Sequence, residues 1–323
     1  MKSARTAIRA DQIARRMGRA KRNPSNSLKQ MMGFARALPI LRAVMAIILR
    51  PQHRYPAPNR CIYCNNPNTP LFDEHIIPRN LGGGLVFENA SCKRCERTIN
   101  KEIETPFAEM AGTLRRRTIP VRNRDKKRRP KTYSLHIVDE HGNKTQTHEI
   151  PAPDAPRILY LIRFPPVGLF FPETRTEDPI LWTWTHLGDL ERIKQKYGGT
   201  GHVAGAYDQI TFSRQLAKIA HSYVAAEHRA IESYEQLLPE FILTGVGDFR
   251  NLIGCSDGPL DSDTRRWLCN IHWGRVTDDQ YAYLISRIKL FAFTNSPVYE
   301  VIVARKLLSL GPLEPVYGRP IPP

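Results

Sequence analysis

Two Cys-x-x-Cys pairs carry the strongest chemical signal in this chain of 323 residues. Cys61 and Cys64 form the first pair, and Cys92 and Cys95 form the second. Four thiolates complete the tetrahedral shell of a structural zinc ion, and such a closed site has no open position for catalysis. The spacing therefore predicts a zinc ion that holds a small domain together.

The segment between the two pairs carries further reactive side chains. Asp73, Glu74 and His75 stand in a row, and a glycine run at 82–84 and then Asn89 follow them. A neutral imidazole, whose ordinary pKa is about 6.5, can take a proton from water at pH 7. Carboxylate oxygens suit a hard divalent cation such as Mg²⁺. An acidic residue beside a histidine, inside a zinc-clamped segment, indicates a metal-dependent nuclease.

The order and spacing of these motifs resemble the zinc-stapled, four-cysteine branch of the HNH endonucleases, in the ββα-metal superfamily. The motifs that carry the resemblance are Cys61–Cys64, Glu74–His75–Ile76–Ile77–Pro78, Leu81–Gly82–Gly83, Asn89 and Cys92–Cys95. The resemblance implies that His75 is the general base and that Asn89 holds the loop and orients the imidazole. It also implies that Glu74 is the first ligand of a catalytic Mg²⁺ or Mn²⁺ ion.

One position departs from the family pattern. The family usually places an asparagine directly after the second cysteine pair, where this chain has Glu96. A carboxylate can also bind a hard cation, so Glu96 is the expected second ligand. Asn100 lies one helical turn further on the same face and is the alternative ligand.

Positive charge is concentrated in two segments of the chain, whose net charge is +17. Residues 1–60 hold fourteen Lys/Arg against Asp11, a net charge of +13, and residues 112–131 hold ten against Asp125, a net charge of +9. Such segments attract the phosphates of DNA, although a pair of solvated linkers is the alternative. The predicted phosphate contacts are Arg115, Arg116, Arg117, Lys126, Lys127, Arg128, Arg129 and Lys131.

Periodicity and composition predict an α+β protein of four parts. These are a basic arm with a short amphipathic helix (1–57), the zinc-bound ββα domain (58–114), a basic connector (115–131) and a larger α+β accessory domain (132–323). The hydrophobic pattern predicts two helices, over 92–114 and 212–238, the first of them kinked or broken at Pro106. It also predicts hairpins over 134–150 and 284–304, and strands over 158–163, 167–171 and 180–185.

Several features argue against other classes of site and location. The longest apolar run, 43–49, is shorter than the ~18 residues that a membrane span needs, so we expect a soluble cytoplasmic protein. Cys255 and Cys269 have no metal-binding spacing and should be buried thiols. His221 and His228 lie on one side of a predicted helix, and we expect them to bond to the protein rather than to a metal.

The sequence thus predicts a DNA endonuclease with structural Zn²⁺ and catalytic Mg²⁺ or Mn²⁺. A non-catalytic, zinc-containing nucleic-acid-binding protein and an RNA-directed nuclease are the alternatives. The N-terminal helix or the C-terminal domain could contact a second copy or a protein partner.

Overall fold

A computed structural model describes residues 52–110, 131–139, 143–198, 200–203, 208–228, 230–256, 258, 260 and 268–308. The predicted N-terminal helix lies outside the described residues, as does the whole basic connector except Lys131. Within the described part of the chain, no helix is long and apolar enough to cross a membrane.

The predicted ββα unit is present. Its strands are β1 (His53–Tyr55), β2 (Leu71–His75) and β3 (Leu85–Cys92), in the order β1-β3-β2, with β1 parallel and β2 antiparallel to β3. A 3₁₀ turn, Arg79–Leu81, leads into the glycine run between β2 and β3. The helical part begins directly after Cys92 with α1 (Lys93–Ile99).

The helix continues past Pro106, because its hydrogen-bonding pattern changes from α-helical to π-helical before the proline. A π-helical segment, Asn100–Glu104, follows α1, and α2 (Thr105–Met110) follows that segment. Proline has no N–H and crowds the preceding turn of an α-helix, and a π-helical segment relieves such a position by widening the helix. The extra residue in the turn also rotates every later side chain relative to α1. The apolar residues predicted for one face are nevertheless all buried, namely Ile99, Ile103, Phe107 and Met110.

The remaining elements confirm the predicted α+β class. In chain order they are β4 (Thr132–Val138), β5 (Lys144–Pro151), β6 (Ile158–Arg163), β7 (Ile180–Thr185), α3 (Leu187–Tyr197), β8 (Thr200–Val203), α4 (Gln209–Glu227), β9 (Glu235–Gln236), α5 (Pro239–Thr244), α6 (Phe249–Leu252), β10 (Ile253–Ser256), β11 (Cys269–Thr277), β12 (Tyr281–Leu290) and β13 (Val298–Leu307), with short 3₁₀ turns at Pro172–Thr174 and Ile231–Ser233.

An antiparallel sheet in the order β10-β13-β12-β11, with β9 against β13, forms the largest layer. It contains the predicted late hairpin, since β12 pairs with β13. The other predicted hairpin, β4 with β5, is also present, and β8 extends it on the other side of β4. Strands β6 and β7 form a separate pair.

Two predicted elements differ from the structure. Residues 167–171 form a turn rather than a strand, in which the N–H groups of Gly168 and Leu169 bond to the carbonyls of Arg250 and Asn251. The long helix ends at Glu227, eleven residues before the predicted end at 238. The chain then turns at Ile231–Ser233 and enters β9. Apolar residues beyond 228 continue the helical spacing in the sequence, and for that reason the predicted helix is too long. In the structure they belong to these later elements.

Helix α4 joins the ββα unit to the large sheet. Asp208 caps it by accepting the N–H groups of Ile210 and Thr211, which is the usual way to satisfy a helix start. One continuous apolar core includes Phe87 and Ile103 of the ββα unit, Leu216 of α4 and Tyr299 of β13. The ββα unit and the predicted accessory domain therefore share a core along α4.

The two cysteines outside the pairs and the two histidines of the long helix contact other parts of the protein. Cys255 and Cys269 are buried, as predicted. His221 bonds through Nε2 to the carbonyl oxygen of Ile62 at 2.8 Å, and burial lowers its pKa to about 4. His228 stacks on Trp273.

Candidate active site

The four cysteines of the two pairs converge on one point. Their sulfur atoms all lie within 4.8 Å of one another, and Sγ of Cys64 and Sγ of Cys92 are 3.7 Å apart. A tetrahedron with Zn–S bonds of about 2.3 Å has S–S edges of about 3.8 Å. The cluster therefore fits a zinc ion, and among the described residues it is the only such group of three or more His, Cys, Asp or Glu side chains.

The local backbone stabilises thiolates in the cluster. The N–H of Cys92 donates to Sγ of Cys61 at 3.3 Å, and Asn65 adopts a left-handed conformation, φ 58°, which turns the first pair back on itself. A hydrogen bond from Cys95 lowers the pKa of Cys61 to about 4, and the same bond raises the pKa of Cys95. The thiols thus share protons, which a bound zinc ion would displace.

Glu74 points into the interior of the protein. A bulge in β2 next to Asp73 turns that side chain outward and Glu74 inward, and the Glu74 side chain is only 5% exposed. Its Oε1 lies 2.6 Å from Nζ of Lys218 on α4. Burial raises the pKa of Glu74, as does the nearby Glu104, while Lys218 opposes that rise. The predicted metal ligand is therefore already paired with a cation.

The helical carboxylate beside Glu74 is Glu104. Its Oε1 lies 3.0 Å from Nζ of Lys218, and its side chain is 17% exposed. The sequence predicts Glu96 or Asn100 instead, but Glu96 pairs with Lys93 at 2.9 Å on its own helix, and Asn100 is exposed. Glu104 lies in the π-helical segment, and the roles of Glu96 and Asn100 as metal ligands stay predictions.

His75 stands at the end of β2, half-buried beside these carboxylates. Its Nε2 accepts a hydrogen bond from Nε of Arg79 at 2.7 Å, so the proton of the neutral ring is on Nδ1. Nδ1 is buried and has no hydrogen-bond partner among the described residues. Burial lowers the pKa of His75 to about 4, and the positive charges of Arg79 and Lys218 act in the same direction. The imidazole is therefore neutral at pH 7 and can act as a base.

Asn89 lies beside Asp73. It has a left-handed backbone, φ 46°, and its N–H donates to Oδ1 of Asp73 at 3.2 Å. Arg54 holds the same carboxylate through Oδ2 at 2.7 Å, which lowers the pKa of Asp73. The observed bond of Asn89 thus fixes the bulge in β2, and through it the direction in which Glu74 and His75 point. The predicted contact between its amide and the imidazole stays a prediction.

The residues that the sequence analysis missed are on α4. Arg214, Lys218 and His221 share one face at spacings of four and three, and all three are buried against the ββα unit. Arg214 pairs with Glu102 at 3.1 Å, next to the contact of Lys218 with Glu104. A basic stripe on an apolar helix could have indicated this contact, but such a stripe is usually a solvated face.

Of the predicted phosphate contacts, only Lys131 lies within the described residues, where it is exposed at the start of the segment leading into β4. The others, from Arg115 to Arg129, lie outside them. Their role stays a prediction.

Comparison with known proteins agrees with this geometry. The chain matches no curated protein and no solved structure. Residues 61–111 match the family model described as HNH endonuclease, a range that contains both cysteine pairs, His75 and Glu104. This match, the zinc-sized cysteine cluster and the ββα order identify residues 61–111 as a domain of the HNH endonuclease family.

Proposed function

We propose that this protein hydrolyses phosphodiester bonds in DNA, with His75 as the general base. The observation that carries the proposal is the neutral imidazole of His75, held at the end of β2 next to two carboxylates and an exposed arginine. A general base contributes roughly 10²–10⁴-fold to such a reaction when it takes the proton of the attacking water.

Arg79 has two roles in this proposal. In the free protein its guanidinium occupies the Nε2 lone pair of His75. A phosphate offers it a stronger, charge-assisted and bidentate contact, and Arg79 is exposed and can reach for it. Its transfer to the substrate would uncover Nε2 for the attacking water. Arg79 therefore keeps the base neutral before substrate binds and helps to hold the phosphate afterwards.

The metal proposed for this site is Mg²⁺ or Mn²⁺. Glu74 and Glu104 would hold it, because their carboxylate oxygens converge on one cation, now the Lys218 ammonium. When bound, it would neutralise charge on the phosphate and on the leaving oxygen. Glu96 and Asn100 remain the alternative ligands from the sequence.

Incubation of purified protein with supercoiled plasmid, with and without Mg²⁺ or Mn²⁺, tests the proposal. We expect nicked or linear product that EDTA suppresses. Binding to plasmid without any product would favour the non-catalytic binding protein. Cleavage of RNA with an intact plasmid would favour the RNA-directed nuclease.

The helical ligand can be tested with two matched variants. Glu104→Gln should raise the metal concentration for half-maximal nicking on the order of 10–100-fold, the range found when metal-site partners are removed. A divalent ion loses more attraction from this change than the monovalent Lys218 ammonium does. Glu96→Gln, on the same helix, should change this metal concentration little. A large effect of Glu96→Gln with a small effect of Glu104→Gln would place the ligand at Glu96.

The basic connector should act through phosphates. Replacing Lys126 and Lys127 with glutamine should weaken binding to every DNA sequence alike. The slope of log affinity against log salt should fall by about 1.8, at about 0.9 for each lost contact. Replacing the exposed Lys194 and Lys196 of α3 in the same way removes equal charge and serves as control. If both double variants give the same slope as the parent protein, the connector is a solvated linker.

A further inference from the structure

The Lys218 ammonium occupies a position built like a cation site. Its Nζ lies 2.6 Å from Oε1 of Glu74 and 3.0 Å from Oε1 of Glu104. It also donates to the carbonyl oxygen of His75 and lies 3.4 Å from that of Ile76. Four oxygen atoms, two of them from carboxylates, therefore surround one fully buried positive charge.

This set of oxygen atoms is the kind that a hard divalent ion prefers. Two ionised carboxylates repel each other, so a positive charge between Glu74 of β2 and Glu104 of the π-helical segment stabilises their close approach. The structure supplies that charge from a third element, α4. Two other cations of this region are engaged elsewhere: Arg79 bonds to the imidazole of His75, and Arg214 pairs with Glu102.

Lys218 is also held firmly in place. Its neighbours on α4, Ala217 and Ile219, are buried, and the helix is enclosed between the ββα unit and the large sheet. Its Nζ makes ion pairs of 2.6 and 3.0 Å with the two carboxylates, and its side chain is fully buried. A metal ion cannot share the space between the carboxylates with this ammonium group.

We infer that Lys218 is the resident cation of the Glu74–Glu104 pair and that a divalent metal binds this pair only by displacing it. The inference deepens the proposed function and rests on it for the metal's role in cleavage. Metal loading then requires Lys218 to leave its buried place, so helix α4 controls access of metal to the site. Wild-type protein should bind metal weakly because its own side chain competes.

Binding of Mn²⁺ to zinc-loaded protein, measured by electron paramagnetic resonance, tests the inference without any cleavage readout. Lys218→Met keeps the length of the side chain and removes its charge, so we expect Mn²⁺ to bind roughly tenfold or more tightly than to wild type. Lys218→Arg keeps the charge and should bind Mn²⁺ as weakly as wild type. Adding Glu74→Gln to Lys218→Met should abolish the gain. Equal affinity in wild type and Lys218→Met, or a gain that survives Glu74→Gln, would overturn the inference.

A second comparison decides the matter if Lys218→Met does not fold. Wild type and Glu74→Gln should then show the same weak Mn²⁺ binding. Tight binding by wild type that Glu74→Gln abolishes would show that Lys218 does not exclude metal. The two proposals fail separately. If wild type does not cleave DNA but Lys218→Met binds Mn²⁺ more tightly, only the proposed nuclease activity is contradicted. If wild type cleaves DNA but Lys218→Met binds Mn²⁺ no more tightly, only the competition between Lys218 and metal is contradicted.

Discussion

Replacing Cys92 with serine is expected to abolish zinc binding and to unfold the ββα unit. Structural zinc contributes about 10 kcal/mol or more to the folding of such a domain, and a serine hydroxyl is a poor substitute for a thiolate ligand. Because the ββα unit shares one core with α4 and the large sheet, the loss should lower the melting temperature of the whole chain. Elemental analysis and a thermal melt measure both effects.

Cys255→Ser is the matched control. Cys255 is also a buried cysteine, but it lies on β10, outside the cysteine cluster. Its replacement should leave one zinc per chain and cost only the ~1–3 kcal/mol of burying a hydroxyl. If elemental analysis finds no zinc in folded, soluble wild-type protein, the predicted zinc site is wrong. Equal effects of the two substitutions would mean that Cys92 has no special role.

Replacing His75 with alanine is expected to slow DNA cleavage roughly 10²–10⁴-fold, as the loss of a general base does. DNA affinity should change little, because the imidazole is neutral and contributes no charge to the attraction of phosphates. Nicking under single-turnover conditions measures the rate, and fluorescence anisotropy of labelled DNA measures affinity. Since Nε2 of His75 bonds to Arg79 and not to a core group, the variant should fold normally.

His53→Ala controls for the removal of an imidazole from the same domain. His53 is exposed on β1, where its ring contacts Tyr55, and it lies outside the carboxylate pair. It should nick plasmid at the wild-type rate. A loss of rate in His53→Ala as large as that in His75→Ala would point to a general weakening of the domain.

The sequence was sufficient for those features that depend on neighbouring residues. Two cysteine pairs at fixed spacing predict the zinc cluster without any knowledge of the rest of the chain. Strict alternation and turn residues predict the hairpins β4–β5 and β12–β13. The resemblance of the motifs between the cysteine pairs to HNH endonucleases implies the ββα unit. Each of these signals lies within about thirty residues, and the structure confirms the cysteine cluster, the hairpins and the ββα unit.

The features that the sequence did not reveal depend on long-range packing. Helical counting draws attention to Glu96 and Asn100, whereas the helical carboxylate that pairs with Lys218 is Glu104, in the π-helical segment. Lys218 is 143 residues from His75 in the chain, and a lysine on a helix normally indicates a solvated face. Only the docking of α4 shows that its charge is buried between two carboxylates. The strand predicted at 167–171 is wrong for a similar reason, because Gly254 of β10 packs against it so closely that a Cβ there would lie 2.3 Å from the N atom of Val167.

Rescue of His75→Ala by free imidazole tests the central claim most directly. Nicking rates of wild type and His75→Ala are compared on the same supercoiled plasmid, each with and without added imidazole. We predict that imidazole restores part of the lost rate in His75→Ala, because a diffusible base can occupy the vacated place beside Arg79, and that it leaves the wild-type rate unchanged. A His75→Ala protein that nicks plasmid at the wild-type rate without imidazole would contradict the account.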